Sequence, residues 1–550
     1  LDEDGLLASL HPLAFAATAN NDDTPNYHQA MNGPDADGYY RAMSDEMEQM
    51  ELKDPWEVVP LASVPEGANI LDSTWAFKRK RYPDGRVRKL KARFCVRGDQ
   101  QIEGVDFFDT YAPVVGWSTV RLLLILSVIL GLATKQVDYT LAFVHADIDS
   151  EVYVRMPKLF EKPGHVYKLK KSVYGLRQAP LNFFLCLKDG LEARGFVQSK
   201  YDPCLFVSDK VVCLCYVDDC LFFSRSEEDI DEVIGSLRRP EPMKFDLNIE
   251  EDVAGFLGIL MQRKEDGSIE LVQTGLTERI LKVMALEQSN DKWTPTEAKP
   301  LSKDEKGEPC SEPWSYPSVV GMMMYLASNS RPDIAFAVHS CARFTHCPKR
   351  SHELALKRIA RYLKATKDRG MIIQPTSDLT MDLFVDADFA GLWGAESPDD
   401  SMSVKSRTSF VITLGGTPVV WSSKMQTEIA LSTCESEYIA LSTAMRTLLP
   451  VRTLFHSLAE TMKIKHEEVT KVSAVWEDNN AALKLATNQF PNMSPRTKHI
   501  AIKYHWFKSK MKPGEVEPKA IDTSVQKADI FTKGLGRTEF EKKRFMIMGW

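Results

Sequence analysis

The sequence predicts an α/β (α+β) protein of several modules, and three observations carry that expectation. Its 550 residues exceed what a single hydrophobic core organises. From Trp56 to about Met284, short apolar or alternating stretches with the period of strands alternate with amphipathic, helix-period stretches. Beyond a polar, Pro-containing segment at Asp291–Pro313, the natural place for a linker, the pattern turns helical and then, from about Leu379, returns to strands.

Taken in order, the first fifty residues hold ten acids and a single base, Arg41, with little periodicity, and read as a partly disordered leader. They contribute −9 to a net charge of −7, so the remaining 500 residues carry about +2. Basic charge is concentrated in KRKRYPDGRVRKLKARFCVR, Lys78–Arg97, where ten of twenty residues are Lys or Arg. Repulsion at that density favours a surface neutralised by phosphates over a merely solvated one. The same stretch reads as a hairpin turning at Asp84-Gly85. VRLLLILSVILGLA, Val120–Ala133, is too short to span a bilayer and reads as a buried helix. QVDYTLAFVHA is a strand running into a helix start, and RQAPLNFFLCLKDGLEARGF is an amphipathic helix ending near Gly195. CLFVSDKVVCLCYVDDCLFFS holds three short strands, and FLGILMQRKEDGSIELVQ a hairpin turning at Asp266-Gly267. A helical pair follows in SYPSVVGMMMYLA and HELALKRIARYLKAT, then the strands LTMDLFVDADF, TSFVITLGG and TPVVWSSK, then helices. No signal peptide opens the chain, ten scattered cysteines suit a reducing compartment, and Leu1 in place of Met reads as a processed product or a piece of a longer frame.

The chemistry begins with Asp218 and Asp219, adjacent in the apolar stretch CLCYVDDCLFF. Two neighbouring carboxylates in such a setting call for a compensating cation, and a turn between strands would present them, Asp tolerating unusual turn dihedrals. Clustered carboxylates that bridge two divalent ions are what metal-assisted phosphoryl transfer needs, and Asp138 has the setting for a third ligand. A second acidic set lies at strand ends and helix starts: Asp386, Glu437, Asp478 and Asp529, with Glu435 a rival to Glu437. Each alone is as well read as a cap, a turn or a solvated face. His339, Cys341, His346 and Cys347 have no zinc-finger spacing, and Cys213 and Cys215 read as small core residues. No phosphate-binding glycine loop and no serine or cysteine hydrolase signature is present in the sequence.

From Asp54 to Leu535 the sequence resembles the reverse transcriptase and ribonuclease H region of a copia-type LTR retrotransposon polyprotein. The segments that carry the resemblance, in family order, are KARFCVRGDQQIEGVDFFDTYAPVV, QVDYTLAFVHADIDSEVYVRMP, VYGLRQAP, YVDD, SYPSVVGMMMYLASNSRPDIAFAV, SSKMQTEIALSTCESEYIALSTA, TKHIAIKYHW and KADIFTKGL. The resemblance implies a right-hand polymerase with a ferredoxin-like palm, a helical thumb or connection, and a C-terminal ribonuclease H-like domain. Its boundaries would be an acidic leader over 1–50, fingers and palm over 51–290, linker and thumb over 291–375, and the nuclease over 376–550. Asp138, Asp218 and Asp219 would hold metal in the palm. Phe143 would lie beneath the incoming sugar and clash with a 2′-hydroxyl. Gln178 would touch the incoming nucleotide, and Lys91 or Arg93 would grip its triphosphate. Asp386, Glu437, Asp478 and Asp529 would form a second metal set, with His499 as a proton shuttle or product-release residue. Each site would take two Mg²⁺, with Mn²⁺ as a substitute. Implied partners are an RNA template, a DNA or RNA primer, the RNA–DNA hybrid, deoxynucleoside triphosphates, the element's gag and integrase, and a second copy in a homodimer, with no membrane. Implied locations are cytoplasmic virus-like particles and, later, the nucleus. VHAD departs from the family's Asn-Gly-Asp segment, and Trp393–Lys405 is longer than usual, but neither change removes a carboxylate. The alternative is a degenerate or co-opted element that binds nucleic acid without catalysis.

Overall fold

The computed structural model describes residues 23–81, 87–250, 254–376, 379–397, 400–464, 469, 472–487 and 502–550. The described residues of 16–115 and 135–250 form one compact unit, and those of 116–134 and 251–550 the other. The fold is mixed α/β throughout, as the sequence predicts.

In the first unit the described part of the leader, residues 23–51, is largely helical. Asn26 caps a short helix at Tyr27–Asn32, and Ala36–Glu51 is a sixteen-residue helix. Tyr39, Met43, Met47 and Met50 recur at three- and four-residue steps, and all are buried. They seat the helix on a two-stranded hairpin, Ser73–Arg81 paired antiparallel with Val87–Val96, where the Tyr39 ring meets Phe77 at 5.0 Å. Asp35 also binds Arg79, whose Nε donates at 2.9 Å. Acidic composition therefore does not keep residues 23–51 unfolded. The predicted turn at Asp84-Gly85 lies outside the described residues.

The same unit holds a six-stranded sheet. In spatial order its strands are Leu247–Glu250, Ala133–Tyr139, Asp219–Ser224, Val211–Tyr216, Leu205–Val207 and Val197–Gln198. The strands carrying Asp138 and the acidic doublet are thus neighbours in its interior. Helices Ala179–Glu192 and Glu227–Leu237 accompany this sheet, the first opened by Pro180 and amphipathic as the sequence predicts.

The second unit has two sheets and a helical layer. The helix Trp117–Leu130 and the hairpin of Ile259–Arg263 with Ile269–Val272, both assigned by sequence to fingers and palm, belong here. Arg121 anchors the helix: buried, it donates to the carbonyls of Val419 (2.9 Å), Asn329 (3.2 Å) and Ser328, and its guanidinium lies 3.9 Å from the Trp421 ring. Burial lowers its pKa to about 9. Asp291–Pro313 is not a free linker. Its backbone N–H groups at Ser311 and Glu312 donate to buried Glu353, that of Lys303 donates to buried Glu396, and Glu297 pairs with Arg358. The segment is largely exposed, yet these bonds tie it to helix Arg350–Ala365 and to Glu396. A five-stranded sheet completes the unit: Thr417–Met425, Arg407–Leu414, Met381–Asp388, Ser473–Glu477 and Val516–Ala520, antiparallel for the first three and parallel thereafter. The long helix Thr433–Thr461 packs on it. Among the described residues no helix is long and apolar enough to cross a membrane.

Candidate active sites

The doublet sits at a hairpin tip. Register pairs Tyr216 with Asp219, leaving Val217 and Asp218 as a two-residue turn. The left-handed position falls on Val217, at φ 51°, not on either Asp. A β-branched residue there is strained by ~1–3 kcal/mol, and the cross-strand bonds hold it: Tyr139 N–H donates to the Asp218 carbonyl at 2.9 Å. Gln136 Nε2 donates to Asp219 Oδ1 at 3.2 Å, so the neighbouring strand orients this carboxylate. Burial, then the charges of Asp218 and Asp138, push the Asp219 pKa up to about 7. The three carboxylates thus act on one another electrostatically, and one is poised to lose its proton as a cation arrives.

Around them runs an aromatic and cationic row. Phe143, in the turn of 3₁₀ helix Ala142–His145, is buried with its ring edge-on to Tyr174 at 4.6 Å. The Arg93 guanidinium lies over the Tyr174 ring at 4.7 Å. Asp218 and Asp138 are among the charges acting on the Tyr174 hydroxyl, whose pKa is raised chiefly by burial. Tyr174 was missed by sequence reading, although it stands inside VYGLRQAP. Its placement depends on Gly175, at φ 94°, where a Cβ would come 2.1 Å from the Val96 carbonyl oxygen. On the hairpin, Lys91 and Arg93 share one face by strand alternation. Glu46 of the leader helix lies beside both: burial raises its pKa, and Lys91 and Arg93 oppose that rise.

Gln178 does not fit its expected contact with a nucleotide. It is 0% exposed, with Nε2 donating to the Asp106 carbonyl (2.8 Å) and to Ser150 Oγ (3.2 Å), and Oε1 accepting from Gln101 (3.0 Å). Its bonds hold the loop Gln101–Asp106 against the start of helix Ala179–Glu192.

The second acidic set converges differently. Met381–Asp388 and Ser473–Glu477 are parallel, with Phe384 opposite Trp476, so Asp386 and Asp478 emerge at the same level. Glu437 reaches them from the second turn of helix Thr433–Thr461. One carboxylate oxygen from each of Asp386, Glu437 and Asp478 lies within 4.8 Å of the others. Glu435, the rival, is occupied at the helix start: its Oε2 accepts from Leu431 N–H at 2.8 Å. Burial, then the charges of Glu477, Asp386 and Asp478, raise the Glu437 pKa far above the carboxylate range. Glu477 is a fourth acid that sequence reading passed over. Burial raises its pKa too, with Asp478 and Asp386 adding to the rise. Glu437 Oε2 and Glu477 Oε2 are buried without a hydrogen-bond partner. Unsatisfied, mutually repelling oxygens of this kind suit a hard divalent cation such as Mg²⁺.

Asp529 is not brought into this group. It is buried between Lys533 Nζ (2.8 Å) and Lys543 Nζ (3.0 Å), and Lys543 is itself buried. It acts on Asp386 only through its charge. His499 lies outside the described residues. His339 is half-buried; burial, then the charges of Arg407 and Lys424, lower its pKa to about 4.

The chain therefore carries an acidic doublet on one sheet and three converging carboxylates at the end of another. Comparison with known proteins gives the class. Residues 54–298 match the family described as reverse transcriptase (RNA-dependent DNA polymerase). Over 96% of its length the chain is 30% identical to the retrovirus-related Pol polyprotein from transposon TNT 1-94 of Nicotiana tabacum, of which it spans 39%. It is 29% identical over 98% of its length to that from transposon RE2 of Arabidopsis thaliana, of which it spans 36%. Residues 54–298 thus match a reverse transcriptase domain, and over most of its length the chain is similar to Pol polyproteins of copia-type transposons. It spans well under half the length of these relatives. Among solved structures it is similar to the foamy viral protease-reverse transcriptase in complex with double-stranded DNA, at 12% identity and a TM-score of 0.46, covering 95% of this chain and 80% of that one.

Proposed function

We propose that this chain is an RNA-directed DNA polymerase with a ribonuclease H activity that cleaves the RNA of RNA–DNA hybrids, both by two-metal phosphoryl transfer. The observation that carries the first half is the placement of Asp138 and the Asp218-Asp219 tip on adjacent interior strands, within the segment that matches the reverse transcriptase family. The observation behind the second is the convergence of Asp386, Glu437 and Asp478.

Asp138, Asp218 and Asp219 would hold one pair of Mg²⁺ ions, and Asp386, Glu437 and Asp478 the other, with Mn²⁺ as a substitute. When bound, such ions supply activation of the attacking oxygen and neutralisation of the leaving group. The protein's own part is positioning. Gln136 orients Asp219, which surrenders its proton near neutral pH. Arg93, 4.7 Å from the centre of the Tyr174 ring, and Lys91 bind the triphosphate, and the charge of nearby Glu46 limits their mutual repulsion. Phe143, braced by Tyr174, excludes a 2′-hydroxyl. Gln178 serves by fixing a loop, not by touching substrate. Asp529 serves as the counter-charge of Lys543, not as a ligand.

The partners that follow are an RNA template, a DNA or RNA primer, the hybrid and deoxynucleoside triphosphates, with gag and integrase supplied by the longer polyprotein. Cytoplasmic particles and later nuclear entry remain part of this reading, as does a homodimer. The burial of Gln178 favours a second reading, a co-opted element that binds hybrid without synthesis. Mg²⁺-dependent incorporation on a primed RNA template separates the two. Synthesis lost with Asp218→Asn alone, and template degradation lost with Asp478→Asn alone, supports the first reading. An unmodified chain that binds hybrid and does neither supports the second.

A further inference from the structure

Directly behind the doublet lies a cluster that the reading above does not use. Cys213 and Cys215 are two residues apart on one strand, so they share a face, and register sets Cys220 opposite Cys215 on the next. All three are buried, at 0%, 2% and 0% exposure. Their three Sγ atoms lie within 4.8 Å of one another, and those of Cys213 and Cys215 are 3.6 Å apart. Thiolates on a tetrahedral zinc, at bonds of about 2.3 Å, stand roughly 3.8 Å apart. A second observation points to the same place. The buried Tyr139 hydroxyl faces the same three sulfurs and meets the Cys220 thiol, with no nitrogen or oxygen partner. A buried phenol left to a thiol, a weak acceptor, is poorly satisfied until a stronger partner or a metal takes its oxygen.

We propose that Cys213, Cys215 and Cys220, with the Tyr139 oxygen as fourth donor, bind one thiophilic divalent ion, zinc being the reference case. Small apolar packing explains three buried cysteines one at a time. It does not explain their convergence on a buried hydroxyl that meets only a sulfur. All three cysteines ligate as thiolates, so each ion taken up releases three protons and, with the phenol neutral, leaves a site of one net negative charge. The ion is distinct from those at the carboxylates. Strand alternation turns Cys220 away from its neighbour Asp219, and Tyr139 away from its neighbour Asp138. It would tie together the three strands that carry Asp138, Asp218 and Asp219 and so fix the register of the acidic tip. With all donors buried, loading would accompany folding and exchange would be slow.

The test uses the full chain, expressed with supplemental zinc and then desalted through EDTA. Elemental analysis should find about one zinc per chain. Cobalt introduced on refolding should give a thiolate-to-cobalt charge-transfer band, which needs no variant and so does not depend on any variant folding. Cys220→Ala should lose both signals, while the exposed-cysteine control Cys347→Ala and the doublet variant Asp218→Asn should keep them. An unmodified chain with neither zinc nor the band overturns the proposal, as does a Cys215→Ala/Cys220→Ala chain that retains full zinc.

Discussion

In the palm-like sheet, two carboxylates come from one hairpin tip, stay partly exposed, and are presented by a strained turn at Val217. In the C-terminal sheet, the carboxylates come from two parallel strands and a helix, are mostly buried, and crowd a fourth acid, Glu477. In the first site backbone geometry does the assembling, and the adjacency of Asp218 and Asp219 is visible in the sequence itself. In the second, separate elements meet, and the electrostatic cost of the meeting is larger. A cation should matter mainly for reactivity at the first site, and for both reactivity and stability at the second.

The largest expected effect is at the first site. Asp218→Asn should slow nucleotide incorporation on the order of 10³-fold, the ~4 kcal/mol appropriate to losing a ligand that bridges catalytic ions. Hybrid cleavage should be unchanged, and a parallel fall in cleavage would break the separation of the two sites. Next comes Asp529→Asn. Removing one partner of a buried ion pair strands Lys543 and should destabilise the second unit by ~3 kcal/mol or more, read by denaturant unfolding. A variant of normal stability that has lost cleavage would instead restore Asp529 to the ligand set.

The third prediction concerns pH. An acid with its folded pKa raised is most stabilising below its ordinary value, and that contribution is lost as pH rises. Asp219, raised from 3.8 to about 7, should therefore make the metal-free protein less stable as pH rises from about 4 to about 7. Metal binding requires the ionised form, so Mg²⁺ affinity should rise over the same window and saturating Mg²⁺ should flatten or reverse the loss. Thermal melts with and without Mg²⁺ across that range provide the check, and identical slopes would contradict it. The smallest effect is at the tip itself. Val217→Gly relieves a left-handed valine but loosens the unfolded chain, for a net gain below ~1 kcal/mol; a clear loss of stability would show that the valine side chain, not the turn, holds the doublet.

How much of this was legible in the sequence follows from range. The doublet hairpin was readable because its signal is local: alternating apolar residues around two adjacent acids. The leader helix was equally local in its spacing of Tyr39, Met43, Met47 and Met50, yet ten acids in fifty residues masked it. Asp529 reads locally as an acid at a helix start, and its partner Lys543 lies on the following helix, fourteen residues on, where no spacing rule connects them. Gln178 failed for the same reason, since Asp106 and Ser150 come from distant loops. Glu477 could have been found: it adjoins Asp478 at the end of a buried strand, where an acid with no nearby base needs an explanation.

The claim that both clusters are metal centres, differently assembled, is tested most directly by counting bound Mn²⁺ through its paramagnetic signal. The unmodified chain, an Asp218→Asn/Asp219→Asn chain and an Asp386→Asn/Glu437→Gln chain would be titrated side by side. We predict two separable classes of site, one removed by each double substitution and neither affected by the other. A single class, or one abolished by both, would contradict the account.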